Sequence, residues 1–361
     1  MTSVAIVHDY LTQRGGAERV VLAIARAYPD AAVYTSLFDP GSTFPEFADL
    51  DVRPSMLDHI ALFRHHHRLV LPLLAPTFSS MRVDAEVAIC SSSGWAHGAR
   101  VTGRRVVYCH TPARWLYQPD RYTAGRKPSS LAVRVLGPPL RRWDRAAAAR
   151  ADRYLVNSTV VARAVADAYG IDAEVLAPPV TVAVDGPTEV VPGVEPDAVL
   201  CVSRLLAYKN IDAVVDAFAL LPGERLVVVG DGPDRDRIRA ALPPNVQLVG
   251  AVTDPQLRWL YRQSCGLVAA AYEDFGLTPL EAAAFGRPAA VLRAGGYLDT
   301  VVEGDTGVMF AAPVPSAIAD GVTRMRAREW DATLLRDHAA GFSEDRFAGR
   351  LRDVVDEVLR S

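Results

Sequence analysis

Short apolar runs alternate with amphipathic stretches along nearly the whole chain of 361 residues. Short runs rich in β-branched residues predict strands, and apolar positions every three to four residues predict helices. The predicted strands are 3–8, 32–37, 86–91, 105–109, 153–157, 173–177, 198–204, 225–233, 246–250, 266–271, 288–293 and 307–310. The clearest helices between them are 16–28 and 158–170. Strands that alternate with helices indicate parallel, doubly wound α/β sheets.

The alternation breaks once, at "APPVTVAVDGPTEVVPGVEPD" (177–197), which holds several prolines and glycines and no helical period. The chain is also long for one domain and sufficient for two. The predicted organisation is an amino-terminal domain 1–180, an interdomain linker 181–197, a carboxyl-terminal domain 198–340, and a helix 341–361 that crosses back to the first domain. Ligands of such sheets bind outside the carboxyl ends of the strands, so the chemistry is expected there.

Composition narrows the class of protein. Hydrophobic residues make up 50% of the chain, which supports a folded core, and the net charge of −3 argues against general affinity for nucleic acid. No signal peptide is visible, and no apolar run reaches the roughly 18–20 residues that span a bilayer. The cysteines show no CxxC spacing and are predicted to be reduced core residues; they are Cys90, Cys109, Cys201 and Cys265. A cytoplasmic protein is expected.

Positive charge is concentrated in one part of the chain. Between Arg100 and Arg153, twelve arginines and Lys127 face three aspartates. Such a run is typical of a solvated face, and the alternative is a surface for an anionic acceptor or an acidic membrane. The segment "FRHHHRLVLPLLAPTF" (63–78) leaves a similar choice between a loop over a core helix and an amphipathic patch for a lipid acceptor. Peripheral contact with the inner face of the membrane is therefore an open alternative.

Two strand ends of the first half carry candidate residues. Gly15 and Gly16 stand where the loop "HDYLTQRGGAERVV" turns into a helix, and the N–H groups of a helix start suit a phosphate. Any tight turn also favours glycine, so a purely structural role is the alternative. His110 follows the strand 105–109 in "VVYCHTPARWLY". It is a candidate for a hydrogen bond at a reacting centre, or else a structural histidine bonded to backbone.

The second half opens with "VSRLLAYKN", in which Arg204 stands at a strand end and Lys209 close to the next helix. Lysine is rare in this chain, since Lys127 and Lys209 are its two lysines. An arginine fork and a lysine point charge beside a helix N-terminus suit a diphosphate, and a surface ion pair is the alternative. The turn "VVGDGPDRDRI" (228–238) lacks the GxGxxG of a dinucleotide site, and no metal site is predicted.

The stretch "YEDFGLTPLE" (272–281) places two glutamates around a glycine and a proline. Thr278, Pro279 and Glu281 match a helix start with a capping box, in which the glutamate bonds back to the residue before the helix. Capping would account for Glu281 but not for Glu273, which lies at the end of the preceding strand. A second role, in ligand binding, is therefore considered for both glutamates.

The motifs follow one another at predicted strand ends; they are "RGGAERV", "YCHTP", "VSRLLAYKN", "VVGDGP", "EDFGLTPLE" and "VVEGDTGVMF". Together, over about residues 4–320, they resemble a retaining glycosyltransferase of family 4. The resemblance is strongest to the bacterial mannosyltransferase-like branch, which builds O-antigens, exopolysaccharides and related glycans. It implies the GT-B fold, with two doubly wound Rossmann-like domains facing each other across a cleft.

For the second domain the resemblance implies a nucleotide-sugar site around the two glutamates. Glu273 would contact hydroxyls of the donor sugar, and Glu281 would hold the ribose of the nucleotide. Carboxylates suit both tasks because each accepts several hydrogen bonds. The backbone N–H groups of Phe275, Gly276 and Leu277 would reach the sugar and the distal phosphate.

The remaining site residues are also carried over by resemblance. Arg204 and Lys209 match the diphosphate-binding pair, and Val252, in "GAVTD", matches the region that flanks the base. The glycine pair of the first loop matches residues close to the donor phosphate and the acceptor entrance. His110 matches a histidine near the anomeric carbon, where a backbone or side-chain contact assists the transfer.

The implied reaction is a retaining transfer of a hexose, first of all mannose from GDP-mannose, to a glycan, lipid-linked or small-molecule acceptor. No metal and no cofactor beyond this co-substrate are expected, because cationic side chains and a helix N-terminus take over the leaving-group charge. The alternatives are a UDP- or dTDP-sugar donor, a non-catalytic nucleotide- or carbohydrate-binding protein, and a sugar isomerase or epimerase. Tyr297 stands where a smaller residue is expected and is predicted to narrow or reshape the sugar pocket.

Overall fold

The computed structural model describes residues 2–65, 70–118, 131–180 and 182–361. His66, His67 and Lys127 lie outside these ranges. The chain divides into two compact units, each described by itself. The first unit consists of Met1–Pro179 and Glu344–Ser361, and the second unit is Val180–Ser343.

The first unit is built on a parallel sheet of seven strands in the order β3-β2-β1-β5-β7-β8-β9, with β4 and β6 pairing separately. The strands are β1 Val4–His8, β2 Ala32–Thr35, β3 Val52–Pro54, β4 Arg82–Val83, β5 Val87–Ser92, β6 Arg100–Val101, β7 Arg104–Cys109, β8 Arg153–Val156 and β9 Glu174–Val175. All six strands predicted in this half are present within two residues. The three additional strands are two or three residues long, too short for a periodic signal.

Each face of the first sheet has its own core, because successive residues of a strand point to opposite faces. Ile6 and Ile89 belong to the core that includes the first and last helices of the unit. Val7 and Cys90, their neighbours along the strands, belong to the core on the other face. The helices of the unit are Gly16–Ala27, Ala61–His65, Leu71–Ser80, Arg114–Tyr117, Leu131–Ala148, Thr159–Tyr169 and Glu344–Arg360.

The second unit contains a parallel sheet of six strands in the order β12-β11-β10-β13-β14-β15. The strands are β10 Val199–Val202, β11 Leu226–Val229, β12 Val246–Gly250, β13 Gly266–Ala269, β14 Ala289–Leu292 and β15 Gly307–Phe310. The helices are Ile211–Ala219, Arg235–Arg239, Asp254–Gln263, Leu277–Ala284, Tyr297–Thr300, Pro315–Arg326 and Ala332–Ala340. The prediction for β11 ran four residues too far, because Gly230 (φ 134°) ends the strand in a turn.

The segment expected to link the domains, 181–197, packs on the second unit over its described residues. Val182 and Val191 are buried in the core of that unit. Arg258 Nε also donates a hydrogen bond of 2.7 Å to the carbonyl oxygen of Pro187. At the other end of the chain, the helix Glu344–Arg360 is part of the first unit.

Two further sequence expectations concern the cysteines and membrane spans. All four cysteines are free, three of them buried and Cys265 half-buried, which confirms the prediction of reduced cysteines in or near the core. Burial raises the pKa of the Cys90 and Cys201 thiols to about 12, so both are protonated and unreactive at neutral pH. Within the described ranges, none of the helices combines the length and the apolar character needed to cross a bilayer.

Candidate active site

In both sheets several of the candidate residues follow strands at which the strand order reverses. β10 lies between β11 and β13 in the second sheet, and β1 lies between β2 and β5 in the first. Ligands of open parallel sheets bind at such switch points. The loop after β10 carries Arg204 and Lys209, and the loop after β13 carries Glu273. Since β10 and β13 are paired, these two loops are neighbours in space.

Lys209 and Glu273 form an ion pair across these two loops. Their side chains are 12% and 23% exposed, so the contact is mostly shielded from water, unlike an ordinary surface ion pair. The next residue, Asn210, adopts the left-handed conformation (φ 55°, ψ 34°), which asparagine tolerates better than most residues. Its Nδ2 donates a hydrogen bond of 2.9 Å to the carbonyl oxygen of Ala270. Two consecutive side chains thus tie the Lys209 loop to the end of β13.

Arg204 lies in the same loop, on its solvent-exposed side. Its side chain is exposed, and among the described residues its guanidinium has no hydrogen-bond or ion-pair partner. The glycine turn after β11 packs against the backbone of this loop. A Cβ added at Gly230 would overlap the carbonyl oxygen of Ser203, and one added at Gly232 would overlap that of Leu205. These glycines therefore allow close packing against the Arg204 loop.

The helix that carries Glu281 begins earlier than the capping box predicted. It runs from Leu277 to Ala284, its N-cap is Gly276 (φ 89°, ψ 72°), and no side chain caps it. Glu281 is 8% exposed and accepts a hydrogen bond of 2.7 Å from the hydroxyl of Tyr261. The capping prediction was wrong because glycine, with no Cβ, takes the left-handed conformation that starts the helix. Glu281 is instead a buried, oriented carboxylate.

A second glycine pair and Tyr297 support the loop between the two glutamates. A Cβ at Gly295 would overlap the carbonyl oxygen of Glu273, and one at Gly296 would overlap the backbone of Phe275. Tyr297 is 1% exposed, and its ring lies 2.5 Å from the position of a Cβ on Gly276. The tyrosine therefore fills space beneath the loop, a role that the sequence did not reveal.

The residues between the glutamates present backbone N–H groups. Leu277 is the first residue of the helix, and the first four N–H groups of a helix have no partner within it. The Phe275 side chain packs inward, with its ring centroid 6.0 Å from that of Phe342. Val252 is half-buried and precedes Thr253, which caps the helix Asp254–Gln263 that carries Tyr261.

In the first unit the glycine pair starts the helix Gly16–Ala27, with Gly15 as its N-cap. A Cβ on Gly15 would come within 2.5 Å of Glu18 Oε2. A side chain at Gly15 would therefore have to displace the Glu18 carboxylate. Glu18 itself is 1% exposed, and among the described residues its Oε2 atom has no hydrogen-bond partner.

His110 follows β7 at the edge of the first sheet and is 8% exposed. Its backbone makes two hydrogen bonds: the His110 N–H donates to the carbonyl oxygen of Ser92 (2.9 Å), and the His110 carbonyl oxygen accepts from Asn157 Nδ2 (3.1 Å). In the ring, Nε2 lies 2.8 Å from Ser91 Oγ. Burial and then the nearby His8 lower the pKa of His110 to about 3, so the ring is neutral at pH 7.

His8, the last residue of β1, connects His110 to Glu18. Its Nδ1 atom is 3.1 Å from both the carbonyl oxygen and Oγ of Ser91, and its Nε2 atom is 4.0 Å from Glu18 Oε1. Burial lowers the pKa of His8, but Glu18 and then Asp9 outweigh this and raise it overall. Sequence reasoning missed these residues. The sequence did contain one signal for them, the acidic residue Glu18 on the buried side of an otherwise apolar helix.

A second set of hydrogen-bonded, buried side chains lies on the other face of β5. Ser92 Oγ is 3.0 Å from His97 Nδ1, and His97 Nε2 is 2.8 Å from Asp144 Oδ1. The order serine, histidine, aspartate is that of a hydrolase triad. All three side chains are at most 1% exposed, so no substrate reaches the serine. These hydrogen bonds are structural.

Among the described residues no cluster of three or more His, Cys, Asp or Glu is suited to a metal ion.

Two family models match the chain, one for each half. The model of Glycosyltransferase Family 4 matches residues 14–183, and that of Glycosyl transferases group 1 matches residues 179–337. A glycogen synthase of Thermus thermophilus is 31% identical over 175 residues, 46% of this chain and 40% of that protein. The D-inositol 3-phosphate glycosyltransferase of Actinosynnema mirum is 32% identical over 256 residues, 58% of this chain and 60% of that protein. The chain thus spans less than two thirds of these relatives.

Solved structures match the chain over nearly its whole length. HepE of Anabaena, solved with UDP and glucose, gives a TM-score of 0.70 at 18% identity and covers 98% of this chain and 100% of that one. The sucrose-phosphate synthase of Thermosynechococcus elongatus gives 0.72 at 18% identity, with 99% of each chain covered. Together with the two parallel sheets, these likenesses confirm the predicted fold class, which is GT-B.

Proposed function

Since this chain belongs to the glycosyltransferases of the GT-B fold, we propose that it transfers a hexose from a nucleoside diphosphate sugar with retention of configuration. The acceptor is a glycan, a lipid-linked sugar or a small molecule. In the proposed reaction the acceptor hydroxyl attacks from the side of the departing diphosphate, and an oxygen of the leaving phosphate takes its proton. The enzyme's task is to stabilise negative charge on that phosphate.

The ion pair between Lys209 and Glu273 carries this proposal. A carboxylate accepts hydrogen bonds from sugar hydroxyls, and an ammonium group neutralises a phosphate. A sugar bound to Glu273 therefore has its diphosphate beside Lys209. Arg204, exposed in the same loop, supplies a second cation, and the N–H groups at the start of the helix Leu277–Ala284 supply further positive potential. Together they stabilise the developing charge without a metal.

Glu281 is the proposed contact for the ribose. The Tyr261 hydroxyl occupies its Oε2 atom and holds the carboxylate in one orientation. A buried carboxylate that is held in this way retains acceptor capacity for two neighbouring hydroxyls. The helix of Tyr261 starts at Asp254, two residues after Val252, the proposed backbone contact of the base. One helix therefore links the base region to the ribose carboxylate.

The donor proposed first is GDP-mannose, from the resemblance to the mannosyltransferase-like branch. A UDP-sugar is the second candidate, favoured by the likeness to HepE, which was solved with UDP and glucose. Calorimetric titration with GDP, UDP and dTDP, without metal and then with Mg²⁺, separates these donors. Tight GDP binding that ignores Mg²⁺ supports the first donor, and preference for UDP or dTDP replaces it. No binding of any of the three refutes the transferase proposal.

Catalysis is tested apart from binding. Slow hydrolysis of the bound donor in the absence of acceptor is expected of a transferase and excludes a protein that only binds nucleotides or sugars. An isomerase or epimerase would instead release a rearranged sugar nucleotide with no acceptor present. Product analysis by mass spectrometry and NMR distinguishes these outcomes.

Peripheral contact of the first unit with an anionic membrane, from the cytoplasmic side, is a further part of the proposal. Arg141 and Arg142 are exposed on the helix Leu131–Ala148, and Met56 and Leu62 are 85% and 55% exposed. Each basic residue near an anionic surface contributes about 1 kcal/mol. Sedimentation with anionic vesicles, but not with zwitterionic ones, is expected. Reversing both arginine charges should weaken it at least about tenfold.

A further inference from the structure

Four polar side chains form one continuous chain beneath the carboxyl edge of the first sheet. They are Glu18, His8, Ser91 and His110. Strand register brings them together: His8 pairs with Ser91 between β1 and β5, and Ser91 pairs with Tyr108 between β5 and β7. His110 comes two residues after Tyr108 and therefore points to the same face. All four are buried, and His110, at 8%, is the most exposed of them.

The backbone carbonyl of Ser91 determines where the protons of His8 lie. A carbonyl oxygen accepts hydrogen bonds and never donates them, so the Nδ1 atom of His8, 3.1 Å away, carries a proton. The Glu18 carboxylate near Nε2 favours a second proton there. Both contacts favour protonation of His8, in the same direction as its raised pKa.

The hydroxyl of Ser91 lies between the two histidine rings and determines which nitrogen of His110 carries the proton. Its oxygen accepts from the Nδ1–H of His8 at 3.1 Å, which leaves its own O–H to donate to Nε2 of His110 at 2.8 Å. A neutral imidazole that accepts at Nε2 carries its proton on Nδ1. The lowered pKa of His110 keeps the ring neutral. The ring thus presents an N–H donor at Nδ1.

We propose that Glu18, His8 and Ser91 order the protons so that a neutral His110 donates a hydrogen bond from Nδ1 to an oxygen of the sugar substrate bound at the carboxyl edge of the first sheet. This inference rests on the proposed function. The His110 N–H already donates to Ser92, so the ring Nδ1 is the donor that this residue offers to a ligand. Glu18, His8 and Ser91 are positioning residues, and His110 touches the substrate.

Proton order is measured directly by NMR on the free, full-length protein with ¹⁵N-labelled histidine at pH 7. The His110 signal is the one missing from the His110→Gln variant. The ¹⁵N chemical shifts of the His110 ring should show a proton on Nδ1 and none on Nε2. In Ser91→Ala the Nε2 atom loses its hydroxyl donor, and the form with a proton on Nε2 should appear. A wild-type His110 protonated on Nε2, or on both nitrogens, overturns the inference, as does an unchanged pattern in Ser91→Ala.

Kinetics then test the consequence, with donor hydrolysis of GDP-mannose or of the sugar nucleotide whose diphosphate binds tightest. Ser91→Ala should lower kcat about tenfold and leave KM within about twofold, as expected for loss of a transition-state contact. Glu18→Gln, which keeps the shape and removes the charge, should act in the same direction.

The matched control is Ser92→Ala, the same change one residue along β5 in the structural chain to His97 and Asp144. Its kcat should stay unchanged, and an equal loss in both serine variants overturns the inference. Absence of turnover with GDP-, UDP- and dTDP-sugars refutes the proposed function instead. In that event the NMR pattern decides the proton order by itself.

Discussion

Replacing Lys209 by alanine removes the cation from its ion pair with Glu273 and leaves the carboxylate only 23% exposed. Removing one partner of a fully buried pair costs about 3–5 kcal/mol. Because Glu273 retains some solvent, we expect a loss of roughly 1–3 kcal/mol in the free energy of unfolding. The core of the second unit is otherwise untouched, so the variant should fold. Urea unfolding followed by circular dichroism measures the loss.

The effect on catalysis should be larger than the effect on stability. A preorganised group that stabilises developing negative charge contributes about 2.7–4 kcal/mol, which corresponds to roughly 10²–10³-fold in kcat. We therefore expect Lys209→Ala to lower the rate of nucleoside diphosphate release by at least about 10²-fold. Lys209→Met keeps the length of the side chain and should lose as much, which separates charge from packing.

The control is Arg237→Ala, which removes an exposed cation paired with Asp212 and Asp234 outside the candidate site. Its turnover should equal that of the wild type. A Lys209→Ala variant with a native fold and a rate within about threefold of the wild type would falsify the role given to this lysine. A matching loss in Arg237→Ala would attribute the effect to general charge rather than to the site.

Three further changes probe other parts of the molecule. Glu273→Gln should weaken transfer but leave nucleoside diphosphate affinity largely intact in calorimetry; a large loss of affinity means that the two glutamates have exchanged roles. Tyr261→Phe removes the 2.7 Å hydrogen bond to Glu281 and should weaken nucleotide binding about tenfold, since bonds to charged groups contribute about 1.5–3 kcal/mol. Leu351→Ala, fully buried in the first unit, should cost about 2–5 kcal/mol of stability, and an unchanged urea midpoint contradicts that packing.

Local pattern predicted the strands well because each buried strand shows in its own run of apolar residues. It also placed Arg204, Lys209 and Glu273 at strand ends that the sheet order brings together. The start of the helix of Glu281 was misplaced, since nothing local distinguishes a left-handed Gly276 from a turn residue before a threonine cap.

The polar chain of the first unit could not be predicted from local pattern. His8 and Ser91 are 83 residues apart, and only the pairing of β1 with β5 places them side by side. Glu18 lies on a helix face that is otherwise apolar, where the pattern predicts packing rather than charge. Contacts of this kind depend on strand order and register, and these are properties of the whole sheet.

The first unit is discontinuous in sequence, and this affects how it is made. Its strands leave the ribosome early, but the helix Glu344–Arg360, which brings Phe347 against Tyr108 (5.7 Å between ring centroids), is translated only after the entire second unit. At about 5–20 residues per second, that delay is on the order of 10–30 s. During this time one apolar face of the nascent sheet lacks part of its cover, and we expect chaperones to bind there. Premature termination anywhere in the second unit would leave that face permanently exposed.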